Sequence, residues 1–175
     1  MSGKDLIIEP HEYRLDNILA DVNEIRRFNK QRHEMEQLTA IVFEDVERLI
    51  CVGYKQTSTD DFWVRGHMPE FPLLPGVMMC EAAAQLASYF SQKFDLLGAE
   101  TVGLGGLEDV RIRGMVRPGD RLVVAVQQLK IRRGAMIICR FQGLVDDALV
   151  CEGTIKGVPL AAAPAPTASA SGSAP

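Results

Sequence analysis

From Phe71 to Gln92 the chain carries a single formal charge, Glu81. Within that stretch Val77 to about Phe94 reads VMMCEAAAQLASYFSQKF, with Pro75-Gly76 immediately before it. Ala, Met, Leu and Gln favour helix, and a Pro-Gly pair suits a helix start. A helix that is apolar on nearly every face has to be buried. The rest of the chain must therefore supply a layer that wraps around it.

Strand-like segments supply that layer. They run over 38–45 and 48–56 before the helix, and over 101–116, 120–132, 135–146 and 148–157 after it. Turns are expected near Val46-Glu47 and at Pro118-Gly119, Arg133-Gly134 and Asp146-Asp147. The expected fold is α+β: one long antiparallel sheet around one central buried helix. Leu15 to roughly Gln37 is charge-rich, with Ile18, Leu19, Val22, Ile25 and Phe28 at helical spacing, and predicts one or two amphipathic helices. A length of 175 residues suits one domain. Residues 1–160 are read as that domain with an N-terminal helical segment. Residues 161–175, almost wholly Ala, Pro, Ser, Thr and Gly, are read as a disordered tail.

The net charge of -4 gives no support for a nucleic-acid or membrane-surface partner. Pro72, Pro75, Gly76 and Glu81 make the least polar stretch a poor membrane span. Cys51, Cys80, Cys139 and Cys151 form no CxxC pair and stand at no zinc-site spacing from a His. Three of them sit in apolar runs, as small core residues do in a reducing compartment. Met1 to Pro10 does not read as a secretory leader, so a cytoplasmic location is expected.

Three residues carry the candidate chemistry. Glu81 lies one turn into the helix, where a lone carboxylate in apolar surroundings is expensive to ionise; such a group suits proton donation. Gln85, four residues on and on the same face, is placed to hydrogen-bond the carboxyl. His67 precedes a Pro-rich loop, and histidine is the side chain suited to take a proton at physiological pH. Gly76 opens the helix, so its N–H is an unsatisfied donor at the positive dipole end, able to support an oxygen that gains charge. Structural readings stand beside these: an ion pair for Glu81, a capping or surface role for His67, a simple turn for Gly76. His11 and His33 are assigned nothing.

The segment GHMPEFPLLPGVMMCEAAAQ, Gly66 to Gln85, resembles the signature of the 3-hydroxyacyl-acyl-carrier-protein dehydratases of the FabZ type. His67, Pro69, Pro72, Pro75, Gly76, Glu81, Ala82, Ala84 and Gln85 all fall in place without a gap. Gly106-Leu107-Glu108, Arg111, Arg117-Pro118-Gly119-Asp120, Lys130 to Gly134 and Val150 to Thr154 extend the similarity over roughly 38 to 157. The chain departs from the signature at Glu70, which replaces a glycine, at Val102-Gly103, where aromatic residues are usual, and at Arg113-Gly114-Met115.

The resemblance implies a hotdog fold and a homodimer, or a trimer of such dimers, with each active site taking its His from one chain and its Glu from the other. It implies elimination of water from a (3R)-3-hydroxyacyl thioester carried by an acyl carrier protein, in fatty acid or related acyl-chain synthesis. His67 takes the proton beside the carbonyl, the Gly76 amide supports the enolate-like charge, and Glu81 protonates the leaving hydroxyl. Pro75, Val77, Gln85 and Gly106 are the implied substrate contacts. No metal or organic cofactor is called for. Arg111, Arg117, Arg121 and Arg132, with Arg113, Lys130 and Arg133 near them, are the expected docking residues for the acidic carrier. Two other readings compete: a hydratase or dehydratase of coenzyme A thioesters, and a catalytically silent hotdog subunit that binds the carrier or a catalytic partner.

Overall fold

The computed structural model describes residues 6–160. The expected disordered tail, 161–175, lies outside the described residues. Seven strands, β1 (Ala20–Asp21), β2 (Ala40–Asp45), β3 (Ile50–Gln56), β4 (Val102–Ile112), β5 (Arg121–Arg132), β6 (Met136–Val145) and β7 (Ala148–Pro159), form one sheet in the order β1-β2-β3-β5-β6-β7-β4. Every pairing is antiparallel. Two α-helices, α1 (Val22–Phe28) and α2 (Gly76–Lys93), accompany it. This is the expected arrangement of a long sheet around a central helix. Among the described residues no helix is long and apolar enough to cross a membrane.

The central helix begins at Gly76, after Pro75 with φ -55° and ψ 133°. Proline fixes φ and keeps the preceding residue extended, so Pro72 and Pro75 deliver the chain stretched to the helix start. Leu74 N–H donates to the Val116 carbonyl at 2.8 Å and ties that approach to the sheet side. Ala82, Ala83, Leu86, Tyr89 and Phe90 of α2 are fully buried against Cys51, Leu122, Val124, Val126, Cys139, Phe141 and Ile155. Each large apolar side chain so buried contributes about 1.5–3 kcal/mol.

Alternation along the strands sends the intervening side chains the other way. Val123 and Ala125 of β5, with Ile50 and Val52 of β3, belong to a second cluster that includes Ile7 and Ile8, with Tyr13 and Leu15 packed against it. The β5 run from Leu122 to Val126 is therefore buried on both faces. The tight hairpin between β6 and β7 has Asp146 and Asp147 both at positive φ, 48° and 59°. Two positive-φ central residues suit the right-handed twist of the flanking strands.

The N-terminal third departs from expectation. Helix α1 covers only seven residues, and His33–Met35 is a single 3-10 turn. Ile18 and Leu19 lie outside the helix and are exposed; Ile25 alone of the five spaced residues is buried. Ile7 and Ile8 are anchored instead by the second cluster and by Ile7 N–H donating to Gln142 Oε1 at 2.8 Å. The helical spacing at Ile18 and Leu19 lost to strand pairing: Leu19 N–H donates to the Ile41 carbonyl, and Ala20 pairs with Ile41.

Candidate active site

Trp63 anchors the loop that carries His67. It is 3 % exposed in the main core, and its carbonyl accepts from Gly66 N–H at 3.1 Å and His67 N–H at 2.7 Å. The Lys55–Asp61 ion pair, 3.2 Å, and Ser58 N–H donating to Asp61 Oδ2 brace the loop's start. Met68, just after the histidine, sits at φ 60°, a left-handed conformation uncommon outside glycine that turns the chain sharply. His67 Nδ1 lies 2.8 Å from the Leu73 carbonyl oxygen. A carbonyl can only accept, so Nδ1 carries the hydrogen, and in the neutral ring Nε2 is the free base.

On α2, Gln85 Nε2 donates to Glu81 Oε1 at 2.7 Å, the contact expected from their spacing. The sequence does not reveal what holds Gln85. Its Nε2 also donates to the Met35 carbonyl at 2.6 Å, its Oε1 accepts from Gln37 N–H at 2.9 Å, and its main-chain carbonyl accepts from Asn29 Nδ2 at 2.9 Å. Gln85 is 2 % exposed, so these bonds form out of water. The segment from Asn29 to Gln37 thus acts as a brace for the carboxyl. The one available sequence signal was a run of amide side chains, Asn29, Gln31 and Gln37, ahead of the first long strand.

Gly76 occupies the first turn of α2. Met78 N–H is taken by the Pro75 carbonyl at 2.8 Å, while the N–H of the first helical residue has no partner within the helix. A Cβ on Gly76 would stand 3.0 Å from Ile112 Cγ1, so close packing against β4 is a further reason for glycine here.

Glu81 is half-buried and lines a cavity of about 70 Å³ between α2 and the sheet. Ala84 and Ser88 continue its helix wall, Ile137 and Ile155 form its sheet wall, and Gln31 also lines it. Val102 and Gly103, where the sequence lacks the usual aromatic residues, also face it. The implied contacts Pro75, Val77 and Gly106 do not line this cavity: Val77 is 74 % exposed, and Gly106 follows the bulge between Leu104 and Gly106 in β4. Among the described residues no hydrogen bond or ion pair joins His67 to Glu81 within the chain.

The expected docking arginines separate into groups. Arg121 begins the twelve-residue β5 and Arg132 ends it, which spaces them by about 35 Å along an extended strand. They do not form one patch within a chain. Arg117 lies 5.3 Å over the Phe71 ring, beside the His67 loop, and Arg121 lies 4.6 Å over Tyr54 with its Nε bonded to Gln56. Arg113 is committed to Glu152 and Arg133 to Asp95 by ion pairs. Arg111 pairs across the strands with Glu152, and both arginines help hold that carboxyl below its usual range, the Arg113 hydrogen bond most.

Residues 29–154 match the family model described as FabA-like domain. A 3-hydroxyacyl-acyl-carrier-protein dehydratase FabZ from Clostridium beijerinckii is 31 % identical over 138 residues, 78 % of this chain and 96 % of that protein. A FabZ from Alkalilimnicola ehrlichii is 31 % identical over 142 residues, 79 % of this chain and 90 % of its own. Among solved structures, the dehydratase heterocomplex ApeI:P from Xenorhabdus doucetiae superposes with a TM-score of 0.64 at 16 % identity, over 78 % of this chain and 91 % of that one. The last likeness bears on the fold alone.

Proposed function

Since this chain belongs to the FabA-like domain family, we propose a division of labour for its activity, the dehydration of a 3-hydroxyacyl thioester, in which His67 is the base and Glu81 the acid. His67 Nε2 removes a proton from the carbon beside the thioester carbonyl. Charge moves onto the carbonyl oxygen, where the Gly76 N–H donates to it. The Glu81 carboxyl protonates the 3-hydroxyl, which leaves as water while the 2,3 double bond forms. Each proton-transfer group supplies about 10²–10⁴ in rate. The observation that carries this reading is the Glu81–Gln85 contact at the wall of a small cavity between α2 and the sheet, with a histidine whose Nδ1 hydrogen is already engaged.

His67 and Glu81 do not bond within one chain, and the proposed site joins one chain's His67 to a second copy's Glu81. Strand β4 supports this assembly. It is an edge strand of the sheet, with Leu104, Leu107, Val110 and Ile112 exposed along eleven residues. A long apolar edge calls for cover, and an isologous dimer provides it. A trimer of such dimers is the larger assembly this reading allows.

The acyl group arrives on an acyl carrier protein. From the wider set Arg117 and Arg121 are favoured as docking residues: both are exposed, neither is in an ion pair with a carboxylate among the described residues, and Arg117 adjoins the His67 loop. Four free, buried cysteines suit the reducing cytoplasm in which this reading places the protein. The deciding experiment offers the purified protein 3-hydroxyacyl and crotonyl groups on carrier protein and on coenzyme A. Carrier-linked dehydration and hydration support the proposal. Turnover restricted to coenzyme A esters replaces the carrier assignment, and no turnover on either leaves only a silent binding subunit.

A further inference from the structure

The cavity beside Glu81 is small and has polar as well as apolar side chains in its lining. Glu81 and Ser88 stand two turns apart on the same face of α2, which gives it a run of about 10 Å along the helix. Its volume is about 70 Å³, roughly half that of the ~150 Å³ cavity known to admit a benzene ring. Ala84 and Ala87 on the helix, with Ile137 and Ile155 on the sheet, give it apolar sides. Its other polar side chains include the Ser88 hydroxyl and the Gln31 amide.

The backbone that carries Gln31 is held on both sides. Asn29 before it and Gln37 after it are both bonded to Gln85, at 2.9 Å each. Arg32 Nη1 donates to the Asn29 and Gln31 carbonyls at 2.9 and 2.5 Å and holds the turn between those anchors. On β4, Gly103 has no room for a side chain of its own. The space a side chain would occupy at Gly103 is taken by Leu160, whose Cδ2 would stand 2.6 Å from an added Cβ.

We propose that this pocket selects short acyl chains and that Gln31, supported by Ser88, sets the limit. A short chain with its hydroxyl at Glu81 fills the apolar length. A longer one must press its terminal methylenes against an amide and a hydroxyl, which lose hydration with nothing to bond, or leave those methylenes in water and forgo their transfer energy. The inference rests on the reading of Glu81 as the group that meets the 3-hydroxyl.

The test is a chain-length series of carrier-linked substrates, 3-hydroxybutyryl, 3-hydroxyhexanoyl, 3-hydroxyoctanoyl and 3-hydroxydecanoyl, assayed by kcat/KM. The wild-type value should fall at least about ten-fold from butyryl to decanoyl, the loss of only a couple of methylenes' worth of burial. Gln31→Ala should raise the decanoyl-to-butyryl ratio by about ten-fold. Ser88→Gly should raise it in the same direction, and gives a second reading should the first variant fold poorly by its melting curve. A wild-type enzyme that prefers decanoyl, or a ratio unmoved in both variants, overturns the chain-length inference and leaves the dehydratase reading standing. Absence of turnover at every chain length defeats the reading of Glu81 beneath it, and the inference with it.

Discussion

Gln85 Nε2 bonds both Glu81 Oε1 at 2.7 Å and the Met35 carbonyl at 2.6 Å, so one buried amide ties the helix carboxyl to a loop fifty residues earlier in the chain. The carboxyl's direction is set by a segment outside the helix, and α2 by itself would leave it free to turn. Replacing Gln85 by Leu should therefore do two things. It leaves Gln37 N–H unpaired and out of water, costing about 1–3 kcal/mol, read as a lower melting temperature. It also releases Glu81, so kcat should fall in the surviving folded enzyme. Gln85→Glu, which keeps the acceptor for Gln37, should recover part of the stability and less of the rate.

His67→Ala and Glu81→Gln should each lower kcat/KM by about 10²-fold or more with circular dichroism and assembly unchanged. Retention of more than a tenth of the wild-type rate in either would remove that residue from the chemistry. Mixing the two inactive variants adds a sharper check. If each site joins one chain's histidine to the other chain's glutamate, mixed dimers pair an intact His67 with an intact Glu81 in one of their two sites, and activity should return.

The edge strand predicts the behaviour of the assembly. Leu107→Lys with Val110→Lys places two charges on the exposed apolar face of β4. Light scattering should show the weight-average mass falling toward that of one chain, and activity should fall with it at low protein concentration. An active monomer would refute the shared site.

Carrier docking is tested by reversing Arg117 and Arg121 to Glu. The loss should fall on carrier-linked substrates and spare matched coenzyme A esters, and the wild-type advantage should shrink as salt screens the attraction. Equal losses on both substrates would point to damage near Phe71 and Tyr54, over which these arginines lie.

Burial pushes the thiols of Cys139 and Cys151 up to about 12 from an ordinary thiol value of 9.0. Between those values the unfolded chain has released its protons and the folded chain has not, so the folded state loses stability as pH rises above about 9. Melting temperature should decline through that window. A Cys139→Ala, Cys151→Ala variant should show a shallower decline. Below it, thiol reagents should label the native protein slowly and the unfolded protein fully.

What the sequence determined by itself was everything whose cause is local or periodic. The helix expected over 77–94 forms as Gly76–Lys93, because one apolar, strand-poor, Pro-Gly-led segment has only one way to fold. The strands 48–56 and 120–132 form as Ile50–Gln56 and Arg121–Arg132, ended by the turn residues that flank them. Glu81 and Gln85 could be paired from helical spacing alone. Tertiary structure decided the rest. Residues 15–21 carry part of a helical pattern, yet pairing with β2 drew them out of it. Above all, neither the seat of Gln85 nor the amide that Asn29 donates to its carbonyl could be read from local pattern. Both depend on long-range hydrogen bonds between amide groups, and an amide's partner is chosen by which elements come to rest against it, which spacing along the chain does not encode.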